Sequence, residues 1–434
     1  MADTFINPYN FVRYDTDPER IKGQRDVIVH GHDKLAGNSG RLTCELRTLS
    51  HIFVGDSYER NRFYRIGSPQ DQREFMLPGI PGSSIKGAIR SVAEAIASSC
   101  FSLISKMYKD KVHTNYEREN CKLSISDKTG LCITCRLFGS STDDENYNSF
   151  SGKVHINDAL LSGYFNHLNN YEKIESDDMS ILNVQNSLFY FVILRKHTLS
   201  GPKPHHEAFY VENKMIRGRK FYYHQNTLEK FYTEEQKETE IDRIQKIIKK
   251  RQEEKQNFPE KRIRIPKIPE FDNIELVNPN FVFTFTVDYH NLSNIELGLL
   301  CHALQLECNG RNNAGVAHKI GQGKPIGLGS SLIKIIKIEE TPSPAERYKK
   351  LQNIISITDP DEIAGKINCW IGELESDQNS YFAEGWTDLQ YILQYPPYNH
   401  APIKYPSMDW FRSNSLVRLP TPDDVRNNSN MLME

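Results

Sequence analysis

Residues 79–96 read GIPGSSIKGAIRSVAEAI, and the fold is decided here. Pro81 and Gly82 set a turn, after which Ser83 or Ser84 is suited to cap a helix. Ile85, Ile89, Val92 and Ile96 then recur at i, i+4, i+7 and i+11, the apolar stripe of an amphipathic helix. Lys86 and Arg90 stand four apart on another face. A helix start that offers free N–H groups, two hydroxyls and two cations suits an anion, most simply a phosphate. No Gly-Lys-Ser/Thr follows, so this is not a Walker loop.

Working outward, Arg41–Leu49 alternates Leu42, Cys44 and Leu46 against polar neighbours, a half-buried strand. Residues 60–67 and 73–79 read as a hairpin that feeds a helix over 83–106. FVFTFTVDYH (281–290) alternates most clearly of all. A helix follows over 293–307 with Ser293 as N-cap, then GQGKPIGLGS (321–330) and a strand over 330–339. Strand, hairpin, helix, then strand, helix and strand again is an α+β pattern of the ferredoxin-like, RRM-like type. The expected organisation is an N-terminal arm (1–40) with little regular structure and a first half of the core (41–225). A charged helical insertion (226–275), the second half (276–340) and a C-terminal extension (341–434) complete it. The extension holds Trp370, Trp386 and Trp410, all three tryptophans, and so is expected to pack. In the insertion, residues 233–256 predict a solvated helix with a narrow seam of Ile241, Ile244, Ile247 and Ile248.

Composition bounds the function. The formal net charge is −2, so any nucleic-acid contact must rest on a local groove of cations. No stretch of 18 apolar residues predicts a membrane span, and the start has no secretory pattern. Eight cysteines in a chain of 434 residues read as reduced thiols of a cytoplasmic protein, some available to metal. His113, Cys121, Cys132 and Cys135 are spaced H-x7-C-x10-C-x2-C, a structural zinc pattern, with Cys100 the rival of His113 for the fourth place.

Three further motifs carry cations. Four glycines in 321–330 let backbone approach a ligand, with Lys324, Lys319 and Arg311 nearby. Arg217, Arg219 and Lys220 lie between Phe209–Tyr210 and Phe221–Tyr223, cations for phosphates beside rings for bases, or else a hairpin with core aromatics. His205, His206 and His224 are the imidazoles available for acid–base work, and spacing gives them no partner.

An IPGSSIKGAIR helix start, CRLFG (135–139), SGKVHINDA (151–159) and the late glycine-rich loop resemble the RAMP superfamily, RNA-binding proteins of CRISPR effectors. NPYNFV (7–12) and RGRKFYYH (217–224) match a branch of it. More narrowly the chain looks like a backbone-type subunit of a type III effector, an antiviral ribonucleoprotein. The resemblance implies binding to crRNA and target RNA and assembly with other effector subunits. It implies an RNA-contacting set of Ser83, Ser84, Lys86, Arg90, Arg136, Lys153, Arg217, Arg219, Lys220, Arg311, Lys319, Gly323, Lys324 and Gly327. The helix start and the glycine loop are expected to converge on one ribose-phosphate strand, with a hairpin near 56–76 as a thumb. In catalytic relatives an aspartate after the first strand cuts target RNA with a divalent metal. Here Asp56 is the candidate for such Mg²⁺-dependent cleavage and Asp71 a poorer one; no acid occupies Arg62–Ile66, where the relatives' aspartate falls.

Overall fold

Alternating residues build the central sheet. The computed structural model describes residues 4–30, 37–56, 59–66, 77–102, 104, 106–165, 170–173, 188–196, 199, 206–225, 231–260, 262–307, 315–342, 354–397 and 401–433. In chain order its main elements begin with β1 (Tyr9–Val12), α1 (Pro18–Arg25), β2 (Asn38–Thr48), β3 (Leu77–Ile80), α2 (Gly82–Ile96) and α3 (Ile133–Phe138). There follow β4 (Val154–Ile156), β5 (Ala159–Phe165), β6 (Phe189–Arg195), β7 (Arg219–Tyr222), α4 (Glu234–Asn257) and β8 (Phe271–Val277). The last are β9 (Phe281–Leu292), α5 (Asn294–Leu304), β10 (Ser330–Glu340), α6 (Pro360–Ser376) and α7 (Ala383–Ile392).

The sheet runs β10–β2–β9–β5–β3, antiparallel throughout, with β4 also on β9. Register sorts its side chains into two faces. Ile333, Leu46 and Phe283 form one inward row, Ile335, Cys44 and Phe285 the next, and Ile338, Leu42 and Val287 a third. These join Ile85, Ile89, Val92 and Ile96 of α2 and Leu297, Leu300 and Leu304 of α5 in one core. The opposite rows are polar: Lys334, Glu45 and Thr284; Lys337, Thr43 and Thr286; Glu339, Arg41 and Asp288. A period of two therefore makes a sheet whose inward rows meet α2 and α5 while the opposite rows are polar. α2 and α5 pack side by side, and α6 lies against α5. At Gly298 a Cβ would stand 2.2 Å from the Trp370 carbonyl oxygen, so glycine permits that approach.

The long strands and both core helices lie where periodicity puts them, except that α2 stops at Ile96, short of 106. The N-terminal segment departs from expectation. It is no loose arm: β1 pairs with β7, joining NPYNFV to RGRKFYYH, and α1 follows with Ile21 fully buried. Its Asn7, Tyr9, Asn10, Phe11 and Val12 are all buried, because the pairing supplies hydrogen bonds that a lone polar segment lacks. The 60–79 hairpin is present as Arg65–Ile66 paired with Leu77–Pro78, while 67–76, with Asp71 and most of the proposed thumb, lie outside the described residues. α4 buries only Ile244 among its residues, as a solvated helix should. Trp370 and Trp386 enter the main core, and Trp410 packs on Phe5 in a second one.

The two faces can be tested. Phe283→Ala, at a fully buried position of β9, should cost about 3–5 kcal/mol in urea unfolding. Lys334→Ala, exposed on β10, should stay within about 0.5 kcal/mol. Similar costs at both positions would refute the assigned register.

Candidate metal centre and nucleic-acid interface

Four cysteines from separate parts of the chain meet behind α2. Cys100 follows that helix, Cys121 closes a short helical turn, and Cys132 and Cys135 lie at and in α3. All four are buried and their sulfurs lie within 4.8 Å of one another. Cys100 Sγ is 3.5 Å from Cys135 Sγ and 3.6 Å from Cys132 Sγ, and the Cys132 amide donates to Cys121 Sγ at 3.1 Å. Tetrahedral zinc with Zn–S near 2.3 Å would set sulfurs roughly 3.8 Å apart, so the donor set fits a divalent ion. Burial opposes ionisation of Cys132, yet hydrogen bonds from the other three thiols and Thr134 carry it well below the ordinary thiol value. Cys100, beside its three thiol partners and buried, is pushed well above.

His113 is not part of this group. Its Nδ1 accepts from the Asn115 amide at 3.3 Å, capping a helical turn, and Cys100 takes the fourth place. No spacing motif ties Cys100 to the other three; only the end of α2 delivers it. Among the described residues these cysteines are the only His, Cys, Asp or Glu group of three or more that could converge on an ion. Asp56 instead accepts the Glu59 amide at 3.2 Å within its own turn.

Much of the expected RNA-contacting set is turned inward. The start of α2 is capped by Pro81, not by Ser83 or Ser84, and the Gly82 amide donates to Asp158 at 2.7 Å. Asp158 comes from the GKVHINDA motif, so the positive helix end already faces a carboxylate of the chain itself. Lys86 donates to the Val154 carbonyl at 3.2 Å; burial, then Arg90, lower its pKa. Arg90 bonds Glu94 at 3.0 Å and the Gly139 carbonyl at 3.3 Å.

Arg136 and Lys153 are buried on Glu296, at 2.8 and 3.1 Å. Arg219 is buried beneath Ser99 and Phe101. Arg217 reaches the Leu419 carbonyl and Glu212. Lys319 is buried and donates to the Gly327 and Leu328 carbonyls at 2.8 and 3.1 Å, fastening the glycine turn. Arg219 apart, these cations hold the fold because burial withdraws them from solvent and nearby oxygens satisfy most of their donors. Lys220 alone of the 217–220 group is exposed, its ammonium 3.6 Å over the Tyr9 ring. Phe209 and Tyr223 are core residues. His206 bonds the Asn414 carbonyl. His224 is buried between Ser330 and Ala317, and burial holds it well below the ordinary imidazole value, so neither histidine is placed for acid–base work. His205 and Arg311 lie outside the described residues.

The helix start and the glycine loop do not clasp one another. The loop sits where Thr48 pairs with Ser331, while α2 follows β3 at the other side of the sheet, with β2, β9 and β5 between. The loop faces a different space, a cleft of about 1250 Å³. Arg60, Arg62, Lys196, Lys324, Phe191 and Tyr222 line it, with Glu59, Asp272 and Glu275. Glu275 is neutralised by Arg65 at 2.8 Å. Arg62 and Lys196 hold Glu59 and Glu270 in exposed pairs, which are weak and exchangeable for phosphate. Gly323 and Gly327 adopt left-handed φ of 73° and 98°, and between them lies Lys324. Burial pushes the Lys324 ammonium below its ordinary value, and among the described residues no carboxylate offsets it. Phe191 is 61% exposed beside it, an unsheathed ring at the cleft wall. An anion carrying an aromatic base suits this lining, and sequence reasoning placed neither Arg60 nor Phe191 there.

A family model described as the RAMP superfamily matches residues 45–332, more than half of the chain. No curated protein matches it.

The Glu296 network gives a pH test. Burial alone would raise this carboxyl, but Arg136 and Lys153 hold it below the ordinary carboxylate range. Its stabilisation is therefore complete above the unfolded value, about 4.3, and is lost as pH falls through the depressed folded value. Glu296→Gln should cost about 3–5 kcal/mol at pH 7 and flatten that acid limb in unfolding titrations. An unchanged limb would remove Glu296 as its source.

Proposed function

This chain belongs to the RAMP superfamily, and from that premise we propose that it is a crRNA-binding, backbone-type subunit of a type III CRISPR effector. Membership suggests a CRISPR-associated RNA-binding role. The strand order β10–β2–β9–β5 with α2 and α5 packed on one face supports the finer reading of a ferredoxin-like core. Among the described residues no helix is long and apolar enough to cross a membrane.

The observation that carries RNA binding is Lys324: a partly buried cation with no offsetting carboxylate among the described residues, held by a glycine turn over a cleft with an exposed ring. Phosphate there would restore the charge that burial disfavours, and a base would cover Phe191. Sequence would be read by pairing between guide and target, and the protein would hold backbone and shape. Affinity should accordingly fall with salt. In the same proposal the four cysteines hold Zn²⁺ as a structural ion, since protein would fill all four positions.

Two measurements decide these readings. Anisotropy with labelled single-stranded RNA should give tight binding at low salt. Lys324→Ala should weaken it and reduce the salt slope by about one. Absence of binding at low salt by the folded wild type would end the RNA reading. Elemental analysis should find one zinc per chain, lost in Cys121→Ser together with thermal stability. A zinc-free, fully stable wild type would end the metal reading.

A further inference from the structure

Arg219, on β7, has a side chain only 6% exposed, and it brackets Cys100. Its Nη2 donates to the Ser99 carbonyl, and its guanidinium carbon lies 4.1 Å over the Phe101 ring. Among the described residues its Nε and Nη1 are buried without a hydrogen-bond partner. The nearest carboxylate oxygen, of Glu94, is 4.0 Å from Nε, and the other oxygen of Glu94 takes Arg90 at 3.0 Å. Arg90 also points Nη2 at Cys135 Sγ, 3.6 Å away. A buried guanidinium with two idle donors is costly unless charge of opposite sign stands near.

The inward charges around the thiols are unbalanced. Among the described residues, Arg90 and Arg219 share one carboxylate, that of Glu94. The pair of guanidiniums therefore carries one positive charge in excess. Four thiolates around a divalent ion carry a net charge of two negative. Neutral thiols, or cysteines joined as disulfides, would leave the excess in place.

We propose that the four cysteines are held as a dianionic tetrathiolate and that Arg219 and Arg90 are its counter-charges. Metal occupancy then fastens β7, and with it the paired β1, to the layer of helices. The proposal rests on the reading of the cysteines as a divalent-metal site. Arg219 acts through the ligands, as a positioning residue, much as partners around other metal sites set ligand geometry.

The test uses the full-length zinc-loaded chain. Zinc release to a chromogenic chelator is timed for wild type, Arg219→Met, Arg219→Lys and Arg90→Met. Hydrogen exchange is followed over residues 7–14 and 217–224 with and without zinc. Arg219→Met should release zinc ten- to a hundredfold faster, the range seen when an outer partner is removed, and Arg219→Lys should recover part of the loss. Removing zinc from the wild type should speed exchange in both segments. If Arg219→Met fails to fold, Arg90→Met, which leaves β7 intact, and the zinc-dependent exchange of the wild type decide. Wild-type release rates in both methionine variants, or exchange in 7–14 and 217–224 that ignores zinc, would overturn the proposal. A wild type that binds no zinc would instead overturn the metal reading beneath it.

Discussion

One buried carboxylate joins the parts of this molecule. Glu296 caps its own helix through Ser293 and at the same time accepts Arg136 from α3 and Lys153 from the residue just before β4. Three segments of the chain are thereby tied at one buried point. Such a buried ion cluster adds little over an apolar one in stability, but breaking it leaves two cations stranded. The arrangement therefore fixes how α5 meets α3 and β4 more than it adds to their adhesion. It also explains why motif cations that look like ligands for RNA are turned into the protein.

The same logic runs through the helix layer next to it. Arg90, Glu94 and Arg219 continue the buried charges from α2 to β7, and the four thiols lie at their end. The cysteine cluster shares its core with Ile21 of α1, Val112 and Tyr116, so the N-terminal segment and the polar 106–131 stretch are organised around it. The 106–131 stretch is mostly polar. A metal ion there would supply folding energy that burial alone does not.

The cleft beside the glycine turn is of another kind. Arg62 and Lys196 hold exposed, exchangeable pairs there, its ring is uncovered, and burial pushes its Lys324 ammonium below the ordinary value. Buried cations with full hydrogen bonding specify the fold; half-buried ones without counter-charge are free to meet a ligand. Under the proposed function Lys324 keeps its place in the expected RNA-contacting set, while Arg136, Lys153 and Lys319 are buried on partners within the chain. The open polar face of the sheet, with Arg41 already held by Asp288 at 2.6 Å, lies apart from the cleft-facing turn.

Sequence by itself determined the sheet and its inward face. Alternation over Phe283–Tyr289 and Leu42–Leu46, and the i, i+4, i+7 stripe of α2, are local periodicities that burial on one side can satisfy in only one way. Cys132 and Cys135 were legible for the same reason, since C-x2-C needs only neighbouring residues, and Cys121 was legible from its spacing to them. Tertiary structure alone decided the rest: Cys100 over His113, Asp158 at the start of α2, Glu296 beneath Arg136 and Lys153, the pairing of β1 with β7, and the separation of the helix start from the glycine turn. Each is a contact between residues distant in the chain. Whether a charged side chain faces solvent or a buried partner depends on what the fold brings opposite it, which no local pattern encodes.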